Sequence, residues 1–167
     1  MCIRLNRIGD ALVVTPFLHQ LKVTTGCEIT ILADRHNHFV FRNNPDINGV
    51  IIYEKGTEGI GKLLKKINQT GYKAVFDLHD DVSVTVSYIL KKLKVEYVAG
   101  LKRGNFQLFT HLVDKLDPRK FHVIERCLKL IELVVGDQKM EDFLTTPEIR
   151  YFPSKEDIEN VNRYFAG

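Results

Sequence analysis

Residues Arg4 to Pro16 read RLNRIGDALVVTP and place a Gly-Asp pair between a short apolar segment and a longer apolar run. The segment Cys2–Leu5 predicts a β-strand, and the run after the pair predicts a helix with one apolar side. Gly9 and Asp10 fall in the connection between the two. A strand, a short polar loop and a helix are typical of the start of a βαβ unit, so this stretch predicts an α/β fold.

The rest of the chain alternates in the same way. Four further strands are predicted at Glu28–Ala33, Gly49–Tyr53, Ala74–Leu78 and Tyr97–Ala99. Helices are predicted at Ala11–Val23, Gly59–Gln69, Val82–Leu93, His122–Val135 and from Ser154 to about Phe165. Because the second and third strands are apolar nearly throughout, we expect helices on both faces of a mostly parallel sheet.

Pro16 allows two interpretations of the first helix. In a helix that starts at Asp10, the proline removes a hydrogen bond and produces a kink. Alternatively, Thr15 is the N-cap and Pro16 the first helical residue, which leaves Asp10 in a preceding turn. Both place Asp10 near a helix N-terminus at the carboxyl end of the first strand, the edge where open α/β sheets bind ligands.

Composition indicates an ordinary globular chain of one domain. It has 167 residues, of which 44% are hydrophobic and 27% charged, with a net charge of +3. This excludes a disordered chain and gives no nucleic-acid-binding charge density. The three cysteines form no CxxC pattern and favour reduced thiols over a zinc or disulfide scaffold. With no apolar run long enough to span a membrane, we expect a cytoplasmic protein.

Five segments, in order along the chain, resemble the heptosyltransferase family of lipopolysaccharide core glycosyltransferases, glycosyltransferase family 9. They are IRLNRIGDALVVTPFLHQLK, NPDINGVIIYEK, YKAVFDLHDDVSVTVSYILKKLK, YVAGLKRGNF and HVIERCLKLIELVVG. The first is similar to that family's opening strand, Gly-Asp loop and Thr-Pro helix. The resemblance implies a Rossmann-like α/β domain, the N-terminal half of a two-domain GT-B glycosyltransferase.

The same resemblance implies what the chain binds. In the GT-B architecture the first domain holds the acceptor and the second holds a nucleotide-sugar donor, here ADP-heptose or a related molecule. Residues 1–167 then form one acceptor-binding domain, the donor domain lies outside this chain, and the fragment alone is expected to be inactive. The implied acceptor is an anionic glycan or glycolipid such as the lipopolysaccharide core, with peripheral contact at the cytoplasmic face of the inner membrane. No other cofactor or metal is implied.

Asp10 is the predicted catalytic residue. Without the resemblance, a helix N-cap is the simpler role, since Asp is among the favoured capping residues. With it, Asp10 is a general base that accepts the proton of an acceptor hydroxyl as that oxygen attacks the anomeric carbon of the donor. A helix N-terminus favours the ionised carboxylate. Gly9 lets the substrate approach the backbone closely.

Two arginines flank this loop. Arg4 has the alternative roles of a charge at the end of a strand or a ligand for phosphate or carboxylate on the acceptor. Arg7 is either a solvated loop residue or a second anion ligand.

The stretch DLHDD, Asp77 to Asp81, follows the fourth strand. Clustered carboxylates can hold Mg²⁺ or Mn²⁺, but we favour His79 and Asp80 as hydrogen-bond partners of the acceptor sugar. Asp80 or Asp81 alternatively caps the next helix.

Lys102 and Arg103 lie between two glycines after the fifth strand. They form either a solvated turn or an anion clamp at the same sheet edge as Asp10. In the segment HVIERC, His122 or Glu125 is expected to cap a helix and Arg126 to pair on the surface. Lys62, Lys65 and Lys66 line one helix face, which is solvated or touches anionic lipid.

A competing hypothesis is a stand-alone flavodoxin-like domain that binds a ligand or regulates a partner without catalysis. In that case Asp10 is an N-cap or part of an acidic pocket. The loop NRIGD matches neither the GxGxxG fingerprint nor the GxxxxGK[ST] phosphate loop. This disfavours direct nucleotide binding by the domain and favours an acceptor-binding role.

Overall fold

The computed structural model describes residues 1–54, 56–136 and 147–165, without the side chains of residues 57 and 58. Within these ranges, six strands form one parallel sheet: β1 Cys2–Ile3, β2 Thr30–Asp34, β3 Gly49–Tyr53, β4 Ala74–Asp77, β5 Tyr97–Leu101 and β6 His111–Val113. Their order across the sheet is β3-β2-β1-β4-β5-β6. This is the Rossmann order and differs from the flavodoxin order, so the strand arrangement of the competing hypothesis is wrong.

In the described residues, seven α-helices connect or follow the strands. They are α1 Ile8–Leu12, α2 Thr15–Thr25, α3 Thr57–Thr70, α4 Val84–Lys92, α5 Val123–Leu128, α6 Glu132–Val135 and α7 Lys155–Phe165. Short 3-10 turns occur at His38–Val40, Phe106–Leu108 and Lys129–Ile131. The described part of the chain contains no helix that is both long enough and apolar enough to cross a bilayer.

The helices cover the two faces of the sheet, as the apolar strands predicted. On one face, Phe17 and Leu18 of α2 pack with Leu128 of α5 against β1, β2 and β4. On the other face, Ile67 of α3 and Ile89 of α4 belong to a second buried cluster. Burying a side chain of this size contributes about 1.5–3 kcal/mol, so both layers stabilise the sheet and hold its edges in place.

The first predicted helix is in fact two helices. α1 contains Asp10 in its first turn, and α2 begins at Thr15 with Val14 as its N-cap residue. The Thr15 hydroxyl donates to the carbonyl of Leu12 at 2.7 Å instead of capping α2. Pro16 lies in the first turn of α2, where its missing N–H would have no helical partner in any case.

Three other sequence expectations need correction. β6 was missed because it is only three residues long and has little alternation. β3 lies at the edge of the sheet, so its residue Ile52 is exposed rather than covered by helices on both faces. The cap of α4 is Ser83, whose Oγ accepts from the N–H of Val86 at 3.4 Å, and neither Asp80 nor Asp81 takes that role.

The expected helix caps elsewhere are confirmed. His122 and Glu125 form a reciprocal capping box at the start of α5. The Ser154 Oγ accepts from the N–H of Asp157 at 3.0 Å, and the Asp157 carboxylate accepts from the N–H of Ser154 at 2.9 Å. The cysteines are unpaired, and burial raises the pKa of the Cys2 and Cys127 thiols to about 12. These two side chains act as small apolar core residues.

Candidate functional site

A cavity of about 720 Å³ opens at the carboxyl ends of β1 and β4. These two strands are neighbours, but their connections run in opposite directions across the sheet, which makes this edge the topological switch point. The charged residues that line the cavity are Arg4, Arg7, Asp10, Asp80, Asp81 and Arg126, with His79 beside them. The structure therefore brings together five of the predicted site side chains: Arg4, Arg7, Asp10, His79 and Asp80.

Asp10 presents a carboxylate at the rim of this cavity. Its side chain is 43% exposed, whereas that of Arg4 is only 5% exposed. Arg4 Nη2 lies 3.1 Å from Asp10 Oδ2, and no described residue hydrogen-bonds to the other carboxylate oxygen. Asp10 is therefore held by one buried cation and keeps one oxygen free toward the cavity.

Arg4 is anchored from the neighbouring strand. Its Nη1 donates to the carbonyl of Leu78, just beyond β4, at 2.6 Å. Its Nε is buried and has no hydrogen-bond partner among the described residues. A buried donor without a partner costs about 1–3 kcal/mol. Such a cost is typical of functional sites, where local optimisation of stability is given up.

The loop between β1 and α1 is fixed through its backbone by three side chains. The N–H of Asn6 donates to Asp34 Oδ2 at 2.9 Å, and Asn37 Nδ2 donates to the carbonyl of Arg4 at 3.2 Å. The N–H of Leu5 donates to His79 Nε2 at 3.2 Å. Asn6 itself has a φ of 79°, a left-handed conformation that Asn tolerates better than most residues. These contacts, from the last residue of β2 and from the segments just after β2 and β4, set the position from which α1 starts.

Both ring nitrogens of His79 are occupied. Nδ1 lies 2.7 Å from Asp77 Oδ1, while Nε2 accepts from Leu5. The pattern requires a neutral imidazole with its proton on Nδ1. His79 is among the residues that line the cavity but offers no free ring nitrogen to a ligand, which argues against the sugar-binding role predicted for it.

Asp80 is held by two cations. Arg126 binds it in a bidentate manner, with Nε to Oδ1 at 2.9 Å and Nη2 to Oδ2 at 2.8 Å, and Lys115 Nζ lies 3.1 Å from Oδ2. Burial alone would raise the pKa of Asp80, but the hydrogen bonds from Arg126 and Lys115 outweigh it and hold the pKa below its ordinary value. Asp80 is therefore an ionised wall residue whose oxygens are largely used by the protein.

Neither Arg103 nor Lys102 is among the described residues that line the cavity around Asp10. The Arg103 side chain is only 5% exposed, pairs with Asp77 and donates to the carbonyl of His79, and its guanidinium stacks on Phe109 at 5.3 Å from the ring centroid. Lys102 is exposed, and its Nζ lies 3.3 Å from Oδ1 of Asp114, which is also exposed. An anion clamp formed by both residues does not fit this arrangement, because Arg103 already neutralises a buried carboxylate.

The two other predicted residues of the first loop are accessible. Arg7 is exposed, lines the cavity and has no ion pair with a described residue, so its guanidinium is free for an anion. Gly9 is exposed, and a Cβ built there would meet no atom within 4 Å. The backbone at Gly9 is therefore open to a ligand, but this space alone does not demand a glycine.

The sequence did not identify two residues that shape this site. Arg126 was expected on the surface, yet it is buried and closes one side of the cavity through Asp80. Lys115 reaches the same carboxylate from the segment after β6, a strand that the sequence did not reveal. Within the described ranges the acidic side chains after β4 are paired with cations, and no group of three candidate metal ligands forms.

The solved structures that resemble this chain all share its fold. No family model and no curated protein matches the chain. Among solved structures, a glycosyl transferase family 9 protein from Veillonella parvula DSM 2008 superposes with a TM-score of 0.82 at 21% identity, over 99% of this chain and 47% of that one. E. coli ADP-heptose lps heptosyltransferase II superposes with a TM-score of 0.74 at 16% identity, over 99% and 50%.

A third structure, E. coli heptosyltransferase WaaC with ADP, superposes with a TM-score of 0.69 at 13% identity, over 83% of this chain and 48% of that one. The chain thus spans about half the length of these structures. The predicted Rossmann-like fold, a parallel sheet with helices on both faces, is confirmed, and it matches about half of each of these structures. At these identities the likeness establishes the fold, and the chemistry has to be argued from the site.

Proposed function

We propose that this chain is the acceptor-binding half of an inverting glycosyltransferase. The reaction moves heptose or a related sugar from a nucleotide-sugar donor to a lipopolysaccharide core or similar glycan. The observation that carries the proposal is the Asp10 carboxylate at the cavity rim, paired through Oδ2 with the buried Arg4. The similarity in fold to structures described as heptosyltransferases supports the choice of reaction class.

Asp10 acts as the general base in this proposal. An acceptor hydroxyl attacks the anomeric carbon of the donor from the face opposite the diphosphate, and the bond from that carbon to the phosphate oxygen breaks. The nucleoside diphosphate leaves with the electron pair, while the hydroxyl proton moves to the free oxygen of Asp10. The hydroxyl becomes strongly acidic as the new bond forms, so a carboxylate is a strong enough base.

Arg4 is a positioning residue for Asp10. Its hydrogen bond to the carbonyl of Leu78 holds the guanidinium still, and the ion pair then restricts the carboxylate to the cavity rim. A fixed base avoids the entropy cost of finding the reactive geometry in each turnover. Arg7, exposed at the same rim, is available for a phosphate or carboxylate of an anionic acceptor, such as a Kdo-bearing, phosphorylated lipid A.

The donor binds to residues outside this chain. The first loop carries no nucleotide-phosphate fingerprint, and the chain spans about half the length of the solved structures it resembles. One of those structures holds ADP. We infer that a second domain binds ADP-heptose or another nucleotide sugar, that the half alone is inactive, and that the protein works in the cytoplasm.

The direct test is single-turnover transfer by the intact protein. ADP-heptose and other nucleotide sugars are each offered with a Kdo-bearing lipid A acceptor, and the product is analysed for the configuration at its new glycosidic bond. We expect transfer from one donor with inversion. Absence of transfer with every donor, or retention of configuration, would contradict the proposed function.

A further inference from the structure

The segment before α7, residues 147–153, lies against the start of α2 and the loop before β3. The N–H of Arg150 donates to Thr15 Oγ1 at 2.9 Å, and Asn43 Nδ2 donates to the carbonyl of Phe152 at 3.2 Å. The Arg150 guanidinium also lies over the Phe152 ring, 5.6 Å from its centroid. Arg150 therefore attaches this segment to the rest of the domain through its backbone, and its side chain points to a second attachment.

That second attachment is a cluster of three polar side chains: His19 of α2, Asp46 from the loop before β3, and Arg150. Arg150 Nη1 hydrogen-bonds with His19 Nδ1 and lies 3.6 Å from Asp46 Oδ2. The same His19 Nδ1 lies 3.0 Å from the same Asp46 oxygen. The side chain of Asp46 is only 11% exposed, and its N–H donates to Asn44 Oδ1 at 2.9 Å, which fixes its loop. The carboxylate is therefore the fixed member of the cluster.

His19 Nδ1 cannot satisfy both neighbours at once. To accept from Arg150 this nitrogen must be unprotonated, whereas to donate to Asp46 it must carry a proton. In the neutral ring with its proton on Nε2, Arg150 donates to Nδ1. In the protonated ring, Nδ1 donates to Asp46, and its N–H faces the N–H of Arg150. The two protonation states of His19 thus favour two different positions of the Arg150 side chain.

We propose that His19, Asp46 and Arg150 form a pH-dependent switch that holds the 147–153 segment at neutral pH and releases it in mild acid. Histidine changes its charge between about pH 5 and pH 8, so small changes in pH are enough to operate it. When His19 is protonated, it replaces Arg150 as the partner of Asp46, and the two cations repel each other. The segment then keeps only its backbone contact at Thr15 and the contact at Phe152.

The other charged groups near α2 are engaged elsewhere. Among the described residues, Lys22, one turn after His19, donates to the carbonyl of Cys27 and to the side chain of Asn48. Helices α5 and α6 and the 3-10 turn between them also pack on α2. Their charged side chains have other partners: Glu125 accepts from the N–H of His122, Arg126 pairs with Asp80, and Lys129 pairs with Glu132. The state of the switch therefore depends on its own three side chains.

Thr15 connects the switch to the helix that carries Asp10. Its hydroxyl accepts from the N–H of Arg150 and donates to the carbonyl of Leu12, the last residue of α1, at 2.7 Å. Asp10 lies in the same short helix. Release of Arg150 removes one of these contacts and loosens the support of α1. An effect on Asp10 as a base rests on the proposed function, whereas the switch itself does not.

Amide hydrogen exchange in the intact protein tests the switch, with the N–H of Arg150 as the probe. Its protection factor, which corrects for the chemical pH dependence of exchange, should fall about three- to tenfold from about pH 8 to about pH 5.5. This is the range expected for a partly exposed contact between charged groups. The N–H of Phe76 in β4 is the internal reference and should stay protected at both pH values. Equal protection of Arg150 at both pH values would overturn the proposal.

Two variants of His19 hold the switch in one state each. His19→Gln offers an uncharged acceptor and should keep Arg150 protected at both pH values, while His19→Lys is always charged and should leave it poorly protected at both. His38→Gln is the matched control and should behave as the wild type does, because His38 also contacts an arginine, Arg42 at 3.0 Å, but no carboxylate among the described residues. A loss of protection in acid that persists in His19→Gln would overturn the proposal.

Nitrogen-15 NMR of the His19 ring gives a readout that a merely structural contact would not move. At about pH 8 the proton should be on Nε2, and a proton on Nδ1 would overturn the proposal, since Nδ1 could then not accept from Arg150. Sugar transfer is measured in parallel. A pH-dependent Arg150 amide without transfer would contradict only the proposed function, and transfer with a pH-independent amide would contradict only this inference.

Discussion

The two loops that meet at the centre of the sheet use their carboxylates in opposite ways. In the β1–α1 loop, Asp10 is 43% exposed and has one cationic partner. At the end of β4, Asp77 is 1% exposed and bound by Arg103 and His79, and in the loop after β4 Asp80 is bound by Arg126 and Lys115. The acidic residues at and after β4 are more numerous, but their ion pairs serve to hold the structure together. Incomplete pairing, rather than the number of carboxylates, distinguishes a residue that can accept a proton.

Asp77→Asn tests the structural side of this contrast and has the largest expected effect on stability. It removes the charge that neutralises the buried Arg103, and breaking such a pair typically costs about 3–5 kcal/mol. Urea unfolding of the intact protein measures the loss. Asp114→Asn, an exposed carboxylate beside Lys102, is the control and should stay within about 0.5 kcal/mol of the wild type. A loss below about 1 kcal/mol for Asp77→Asn would show that the folded state does not need the charge of Asp77 beside Arg103.

Asp80→Asn should have the next largest effect on stability. The change weakens the bidentate contact with Arg126 and the contact with Lys115, and hydrogen bonds to charged groups contribute about 1.5–3 kcal/mol. Thermal unfolding at neutral pH measures it. If this variant is as stable as the wild type, the contacts of Asp80 with Arg126 and Lys115 do not stabilise the fold.

The pH dependence of unfolding tests the same contribution of Asp80 to stability. Although burial alone would raise the pKa of Asp80, Arg126 and Lys115 hold it below the ordinary value of 3.8, so the folded state favours the ionised form. The stability from this group is present above the ordinary pKa and is lost as the pH falls through the lower pKa of the folded state. We therefore expect the wild type to lose more stability in acid than Asp80→Asn does.

His79 links the two loops, and we expect it to position the β1–α1 loop that carries Asp10. His79→Leu leaves the N–H of Leu5 without its acceptor, which should loosen the backbone from which α1 starts. A shift of about 1 Å can reduce turnover about 100-fold, so kcat should fall by about 10–100-fold with little change in KM. His79→Gln keeps an acceptor and should recover part of the loss. Equal kcat in wild type and His79→Leu would show that the contact is only structural.

The smallest effect is expected for Lys102→Ala. Lys102 is exposed, outside the cavity and paired with an exposed carboxylate, so the free energy of unfolding should change by less than about 0.5 kcal/mol. The KM for the acceptor should change by less than about twofold, which is within the contribution of an exposed charge. A clearly larger rise in KM would place Lys102 in contact with the acceptor and extend the site beyond the cavity.

The sequence predicted the fold well because its signals are local. Five of the six strands found in the described part of the chain followed from apolar runs, and Ser154 with Asp157 marked the start of α7. β6 has only three residues and gave no such signal, and the break between α1 and α2 depends on how Pro16 is placed in a helix. Strand order at the switch point depends on contacts between distant segments and could not be read from a local pattern.

The site was predicted in part. Residue types and their positions after strands brought Arg4, Arg7, Asp10, His79 and Asp80 to one edge, because the carboxyl ends of parallel strands meet there. The sequence could not show which acidic residue forms an ion pair with which arginine. That Arg103 binds Asp77 and Arg126 binds Asp80 depends on contacts over more than 20 residues of separation, and it decides which carboxylate is left for a ligand.

Asp10→Asn in the intact protein is the most direct test of the account. The amide keeps the size of the side chain and a polar partner for Arg4, but it cannot accept the proton. We expect kcat to fall by about 100- to 10,000-fold, the usual contribution of a general base, with a smaller loss of stability than Asp77→Asn. Asp114→Asn should turn over as the wild type does. A correctly folded Asp10→Asn protein that keeps most of its turnover would contradict the assignment of Asp10 as the base.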